Sequence, residues 1–211
     1  MLLSLSILTM LLGILYLHSA EKQLAIWMYF LKPGTMVIII FIAILGLGES
    51  SSTYSWWILA GLLFSILGDI FLMLPKDRFI YGLVSFLAGH VCYVVAFLYV
   101  PGGGEVKIWL TGALLFTAIL YLLKLSRGVF RSGGIALFLA VTAYVAIITS
   151  MVWAAFYSQQ PLMIAGAILF FFSDAILAWD RFIGKLTYRN YLVMIPYYLA
   201  QYLFAISLHW M

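Results

Sequence analysis

Long apolar runs separated by short polar clusters dominate this 211-residue chain. A helix needs about 20 apolar residues to cross a bilayer. Eight runs reach or approach that length, at about 1–18, 33–48, 56–74, 79–100, 106–124, 133–157, 161–179 and 189–210. The breaks between them carry turn chemistry. Lys32-Pro33-Gly34 opens the second run and Pro75 closes the third. Pro101-Gly102-Gly103-Gly104 divides the fourth from the fifth, Gly133-Gly134 precedes the sixth, and Pro161 opens the seventh. The pattern predicts an all-α membrane protein of eight transmembrane helices, the second of them short, forming one integral domain over residues 1–211. No basic residue precedes the first run, and His18-Ser19-Ala20 makes a poor cleavage site. That run is expected to stay as a helix and not to be removed as a signal peptide.

Composition sharpens this picture. The chain is 66% hydrophobic and 9% charged, whereas soluble domains carry about 25% charged residues. The net charge of +4 therefore points to membrane orientation and not to nucleic acid. One set of alternate loops holds Lys22, Lys32, Lys76, Arg78, Lys124, Arg127, Arg131, Arg181, Lys185 and Arg189; the other holds Lys107. Cytoplasmic loops are rich in Lys and Arg, so both termini are expected outside the cytoplasm, with a bacterial inner membrane as the favoured location. The single cysteine, Cys92, excludes an intrachain disulfide and a cysteine-based metal site.

Two stretches resemble each other, "LFSILGDIFLMLPKDRF" (63–79) and "FFFSDAILAWDRF" (170–182). Each has a small residue before an Asp, an apolar turn after it, then Asp-Arg-Phe. They fall on the third and seventh runs, which cross in the same direction. This predicts a parallel four-plus-four repeat with halves of about 1–104 and 105–211.

Of seven acidic residues, only Asp69 and Asp174 lie inside a run; Glu21, Glu49, Asp77, Glu105 and Asp180 fall in loops or at helix ends. A carboxylate at the membrane centre costs about 2.5–3.5 kcal/mol on insertion scales. A structural reading makes each Asp a hydrogen-bond anchor for Ser65, Ser173 or a neighbouring helix, with Gly68 and Ser173 allowing close packing. A functional reading makes them an acid–base pair, since burial and a second carboxylate both favour protonation of one member. Other polar residues within the runs join this candidate site: His90 with Tyr93 one turn on, Tyr197 and Gln201 four apart with Tyr198 alongside, and Tyr144 in the sixth run. No three histidines converge, because His18 and His209 fall near opposite faces. No nucleophile elbow or phosphate-binding loop is present, so no metal and no cofactor are expected.

"LKPGTM", "LGDIFLML", "FLAGHVCY", "FFSDAILAWDRF" and "IPYYLAQYLFA" occur in that order. They resemble the signatures of the YhhN family, the eight-span lysoplasmalogenases, over nearly the whole chain. The resemblance implies hydrolysis of the vinyl ether bond of a lysoplasmalogen. The products would be a fatty aldehyde and glycerophosphoethanolamine or glycerophosphocholine. It implies a lysophospholipid substrate taken from the bilayer, with no obligate protein partner. Vinyl ether cleavage needs a proton for the outer alkene carbon and a base for water, which Asp69 and Asp174 are expected to supply. Which acts as acid is not legible in the sequence. Lys32, His90, Tyr93, Ser173, Tyr197, Tyr198 and Gln201 are expected to bind substrate or orient water, with the phosphate near Lys32, Arg78 or Arg181. Two other readings use the same aspartates: a proton-coupled transporter, and an intramembrane aspartyl protease, which the motif around Asp174 does not resemble.

Overall fold

A computed structural model describes residues 1–48, 52–74 and 78–210. Glu49, Pro75, Lys76 and Asp77, named above, lie outside the described residues. Among the described residues there are seven helices: α1 (Leu2–Glu21), α2 (Ala25–Leu45), α3 (Thr53–Met73), α4 (Phe79–Leu98), α5 (Ile108–Ser158), α6 (Pro161–Phe182) and α7 (Arg189–Ser207). Six of them, α1 to α6, are long and apolar enough to cross a membrane. The seventh is less apolar because it carries Asn190, Tyr197, Tyr198 and Gln201. The chain is a multi-pass membrane protein. Leu3, Phe30, Ile108, Leu123 and Phe172 all face outward and exposed, as lipid-facing side chains would.

The second helix begins well before the apolar run that predicts it. It spans 21 residues and carries Pro33 in its interior, so the expected start at 33 and the expected shortness are both corrected. Pro33 lacks only the one backbone donor that would reach back a turn. Lys32 is consequently a mid-helix residue, not a loop residue.

The fifth helix has 51 residues, which at 1.5 Å per residue is far longer than a bilayer core of about 30 Å. It is folded double. Gly133 leaves helical geometry, and Gly134 adopts φ 62°, ψ −154°, a region essentially restricted to glycine. The two limbs then run side by side, tied by a 3.0 Å bond from Trp153 Nε1 to Thr111 Oγ1. The sixth predicted run therefore starts at this bend, and the fifth extends past its predicted end at 124 through Arg131.

In the bundle α3 packs on α4, α6 on α7, α1 on α2, and α5 on both α4 and α6. Close approach depends on glycines. A Cβ on Gly61 would meet the Tyr93 ring at 2.3 Å, and one on Gly166 would meet the Phe204 ring at 2.5 Å. Gly61 lies eight residues before Asp69, and Gly166 eight before Asp174. Tyr93 and Phe204 themselves touch, with centroids 4.6 Å apart. Nearer the other end, Phe79 and Phe182 meet edge to face at 5.7 Å. These are the last residues of the two Asp-Arg-Phe triplets.

Candidate active site

Asp69 and Asp174 project from α3 and α6 into one cavity of about 260 Å³, shared with Lys32, Ser173, Arg189 and Tyr197. Lys32 Nζ lies 2.8 Å from Asp69 Oδ1, and the Tyr197 hydroxyl donates to Asp69 Oδ2 at 2.6 Å. Asp69 thus has a buried cation on one oxygen and a phenol on the other. Both partners suit a carboxylate, and a buried ion pair is tolerable only with such additional hydrogen bonds.

Asp174 has different company. Its Oδ2 accepts from the Tyr144 hydroxyl and lies 3.5 Å from His90 Nε2. His90 Nδ1 lies 2.6 Å from the Phe86 carbonyl. A carbonyl can only accept, so Nδ1 carries a proton and Nε2 is the ring's free nitrogen. Among the described residues Nε2 has no hydrogen-bond partner, and no Lys or Arg pairs with Asp174. The two carboxylates also differ in their distance from the ends of their helices: Asp69 precedes the end of α3 by four residues, Asp174 that of α6 by eight, or about 6 and 12 Å along the axis.

The sources of these partners follow a rule. Lys32 comes from the helix before α3, and Tyr144 from the limb before α6. Tyr197 and His90 come from the helices that follow the opposite aspartate, α7 and α4. Between them sits Phe170, one turn before Asp174, with centroids 4.6 Å from His90 and 5.4 Å from Tyr197.

Among the described residues, the other sequence-predicted side chains make no hydrogen bond to either carboxylate. The Ser173 hydroxyl lines the cavity but donates to the Val193 carbonyl at 2.9 Å, tying α6 to α7. The Tyr93 hydroxyl donates to Gln201 Oε1 at 2.6 Å, a pair away from the carboxylates. Gln201 Nε2 and the Tyr198 hydroxyl have no partner among the described residues; Tyr198 packs edge-on against Tyr16. Lys32 is committed to Asp69 and does not stand among the loop cations. Tyr144 was one mid-span tyrosine among fourteen; its signal was its place on the run preceding Asp174, matching that of Lys32 before Asp69. Phe170 and Arg189 carried no sequence signal for the site.

A second cavity of about 630 Å³ lies where α1, α3 and α6 end and α4 and α7 begin, lined by Glu21, Arg78, Arg181, Lys185 and Arg189. Leu72, Leu177, Arg189 and Asn190 line both cavities. Asp180 lies in this outer region. It takes the Leu186 amide at 2.9 Å, Lys185 Nζ at 3.1 Å and Arg189 Nε at 3.3 Å, which locks the turn between α6 and α7.

The model of the YhhN family matches residues 27–208. The chain belongs to the YhhN family. Every residue of the inner cavity discussed above, from Lys32 to Tyr197, falls within that match. Among curated YhhN-like relatives, the chain is 33% identical over 173 residues to lysoplasmalogenase TMEM86B of Mus musculus, covering 82% of this chain and 70% of that protein. It is 35% identical over 164 residues to lysoplasmalogenase TMEM86A of Bos taurus, covering 71% and 64%. It is 28% identical over 141 residues to a lysoplasmalogenase of Mycobacterium bovis, covering 60% and 50%. The chain spans about two thirds of the length of these mammalian relatives. No solved structure matches the chain significantly.

Proposed function

We propose that this protein is a lysoplasmalogenase, an intramembrane hydrolase of the vinyl ether bond of lysoplasmenylethanolamine or lysoplasmenylcholine. One observation carries the reading. Two intramembrane carboxylates line a single cavity with unlike partners, in a chain similar to proteins named lysoplasmalogenase. Unlike environments let paired carboxyls divide acid and base work. Vinyl ether hydrolysis asks for just that: a proton for carbon, then a base for water.

The same reading includes the membrane arrangement. Counting the doubled α5 as two, the chain crosses eight times, and both termini face away from the cytoplasm. Arg78, Arg181, Lys185 and Arg189 gather around the outer cavity, as the positive-inside rule expects of a cytoplasmic end. The lysolipid then enters from the inner leaflet, with its phosphate among those cations. We also infer an internal duplication, four crossings in each half. It is supported by the matched glycines before Asp69 and Asp174, and by the Phe79–Phe182 and Tyr93–Phe204 contacts.

Purified full-length protein in detergent, given lysoplasmenylethanolamine in D2O, should release a fatty aldehyde carrying one deuterium on the carbon next to the carbonyl. Absence of aldehyde, with substrate uptake by reconstituted vesicles instead, would replace the hydrolase with a transporter.

A further inference from the structure

Asp174 lies on a wall between two unlike spaces. One is the polar cavity that also holds Asp69 and Lys32. The other is a narrow slot of about 50 Å³ between α4, α5 and α6, open along one side and lined by Leu83, Tyr121, Val141, Phe171, Asp174 and Ala178. Apart from Asp174 and the hydroxyls of Tyr121 and Tyr144, the side chains of this slot are apolar. The Tyr121 hydroxyl is occupied by the Ala175 carbonyl and that of Tyr144 by Asp174. The slot therefore offers hydrocarbon surface and one carboxyl. Asp69 does not reach it.

We propose that the alkenyl chain of the lysolipid lies along this open slot, its vinyl end at Asp174 and its remainder extending out into the bilayer, so that Asp174 is the proton donor to the vinyl ether and Asp69 the base for water. The inference rests on the lysoplasmalogenase reading and deepens it. In an alkenyl ether, the carbon that accepts the proton is on the chain side and the ether oxygen is on the glycerol side. A chain in the slot and the glycerol in the polar cavity, with the phosphate beyond it toward Arg189 and the outer cations, place the outer vinyl carbon against Asp174. The partners agree. Lys32 and the Tyr197 hydroxyl both suit Asp69 as a carboxylate. Asp174 Oδ2 faces the free nitrogen of His90 at 3.5 Å; a proton on Asp174 satisfies these two acceptors with both groups uncharged, whereas one on His90 would bury a second charge pair.

The steps balance. The Asp174 proton goes to the outer alkene carbon, whose π pair forms the new C–H bond and leaves an oxocarbenium ion. Water bonds to the inner carbon and loses a proton to Asp69, giving a hemiacetal. Asp174 then takes the hemiacetal hydroxyl proton as the carbon–oxygen bond to glycerol breaks, and Asp69 returns its proton to the glycerol oxygen. One water is consumed and both residues are restored.

The test uses purified full-length protein with lysoplasmenylethanolamines bearing hexadecenyl or butenyl chains. Ala178→Phe and Leu83→Trp, checked for folding by thermal unfolding in detergent, should each lower the hexadecenyl-to-butenyl ratio of kcat/KM at least tenfold. In D2O, unreacted substrate recovered from Asp69→Asn should carry deuterium on the outer vinyl carbon, because protonation there still reverses; substrate from Asp174→Asn should carry none. An unchanged chain-length ratio in the folded slot variants would overturn the slot. Exchange with Asp174→Asn, or with neither variant, would overturn the assignment of roles. A wild type that releases no aldehyde fails the lysoplasmalogenase reading itself and this inference with it.

Discussion

Lys32 Nζ stands 2.8 Å from Asp69 Oδ1 with both side chains almost wholly removed from solvent. Removing one member of a buried ion pair costs about 3–5 kcal/mol, because the other is left uncompensated. Lys32→Met should therefore lower the thermal midpoint in detergent markedly and cut aldehyde release by about 10²-fold or more. Lys32→Met combined with Asp69→Asn should recover most of the lost stability and none of the activity. A double variant no more stable than Lys32→Met would show that the pair is not coupled.

The two phenols bound to the carboxylates are not equivalent. Tyr197→Phe leaves Asp69 with Lys32, whereas Tyr144→Phe leaves Asp174 with only the more distant His90. Once Asp174 has given up its proton it is a carboxylate with Tyr144 as its nearest donor, and a hydrogen bond to a charged group contributes about 1.5–3 kcal/mol. We expect Tyr144→Phe to slow steady-state aldehyde release about tenfold or more, and Tyr197→Phe to have the smaller effect. The opposite order in kcat would contradict the difference in local support.

Arg189 belongs to both the outer and the inner cavity. If it steadies the phosphate, Arg189→Gln should raise KM for the lysolipid about tenfold, equivalent to about 1.4 kcal/mol, with kcat changed by less than about threefold. Phosphate esters of glycerol should inhibit the wild type more than this variant. Equal KM values would remove Arg189 from the headgroup site.

Packing makes an independent prediction. A Cβ on Gly128 would come within 1.8 Å of the Phe182 carbonyl oxygen, a backbone atom that cannot swing away. Gly112 has nothing within 4 Å, so alanine there gains helix propensity of about 0.5–1 kcal/mol. Thermal unfolding should rank Gly112→Ala at or above wild type and Gly128→Ala well below it.

The aspartates themselves were readable because a charge inside an apolar run stands out against its background. Lys32 was visible but misplaced. Lys-Pro-Gly looks like a boundary, and only its buried partner explains why the helix continues through it. Tyr144 could be named as a mid-span polar residue but not singled out, and Phe170 was hidden, both for the opposite reason: they are aromatic residues in a chain already 18% aromatic. The partner rule was beyond the sequence altogether, since α4 reaching Asp174 and α7 reaching Asp69 are facts of tertiary packing. The doubling of α5 at Gly133-Gly134 was legible as a break, because few residues besides glycine accept the φ and ψ found at Gly134.

Each carboxylate takes one partner from its own half of the chain and one from the other. A half-length ancestor would thus have needed a second copy to complete either position, and a symmetric pair would have given both aspartates identical neighbours. Such a dimer has two equal acids and no means of telling them apart. Joining such copies end to end would permit lysine on one side and tyrosine with histidine on the other. On the proposed duplication, the division of labour proposed for Asp69 and Asp174 would be a product of fusion: two different sites of protonation, gained as symmetry was given up.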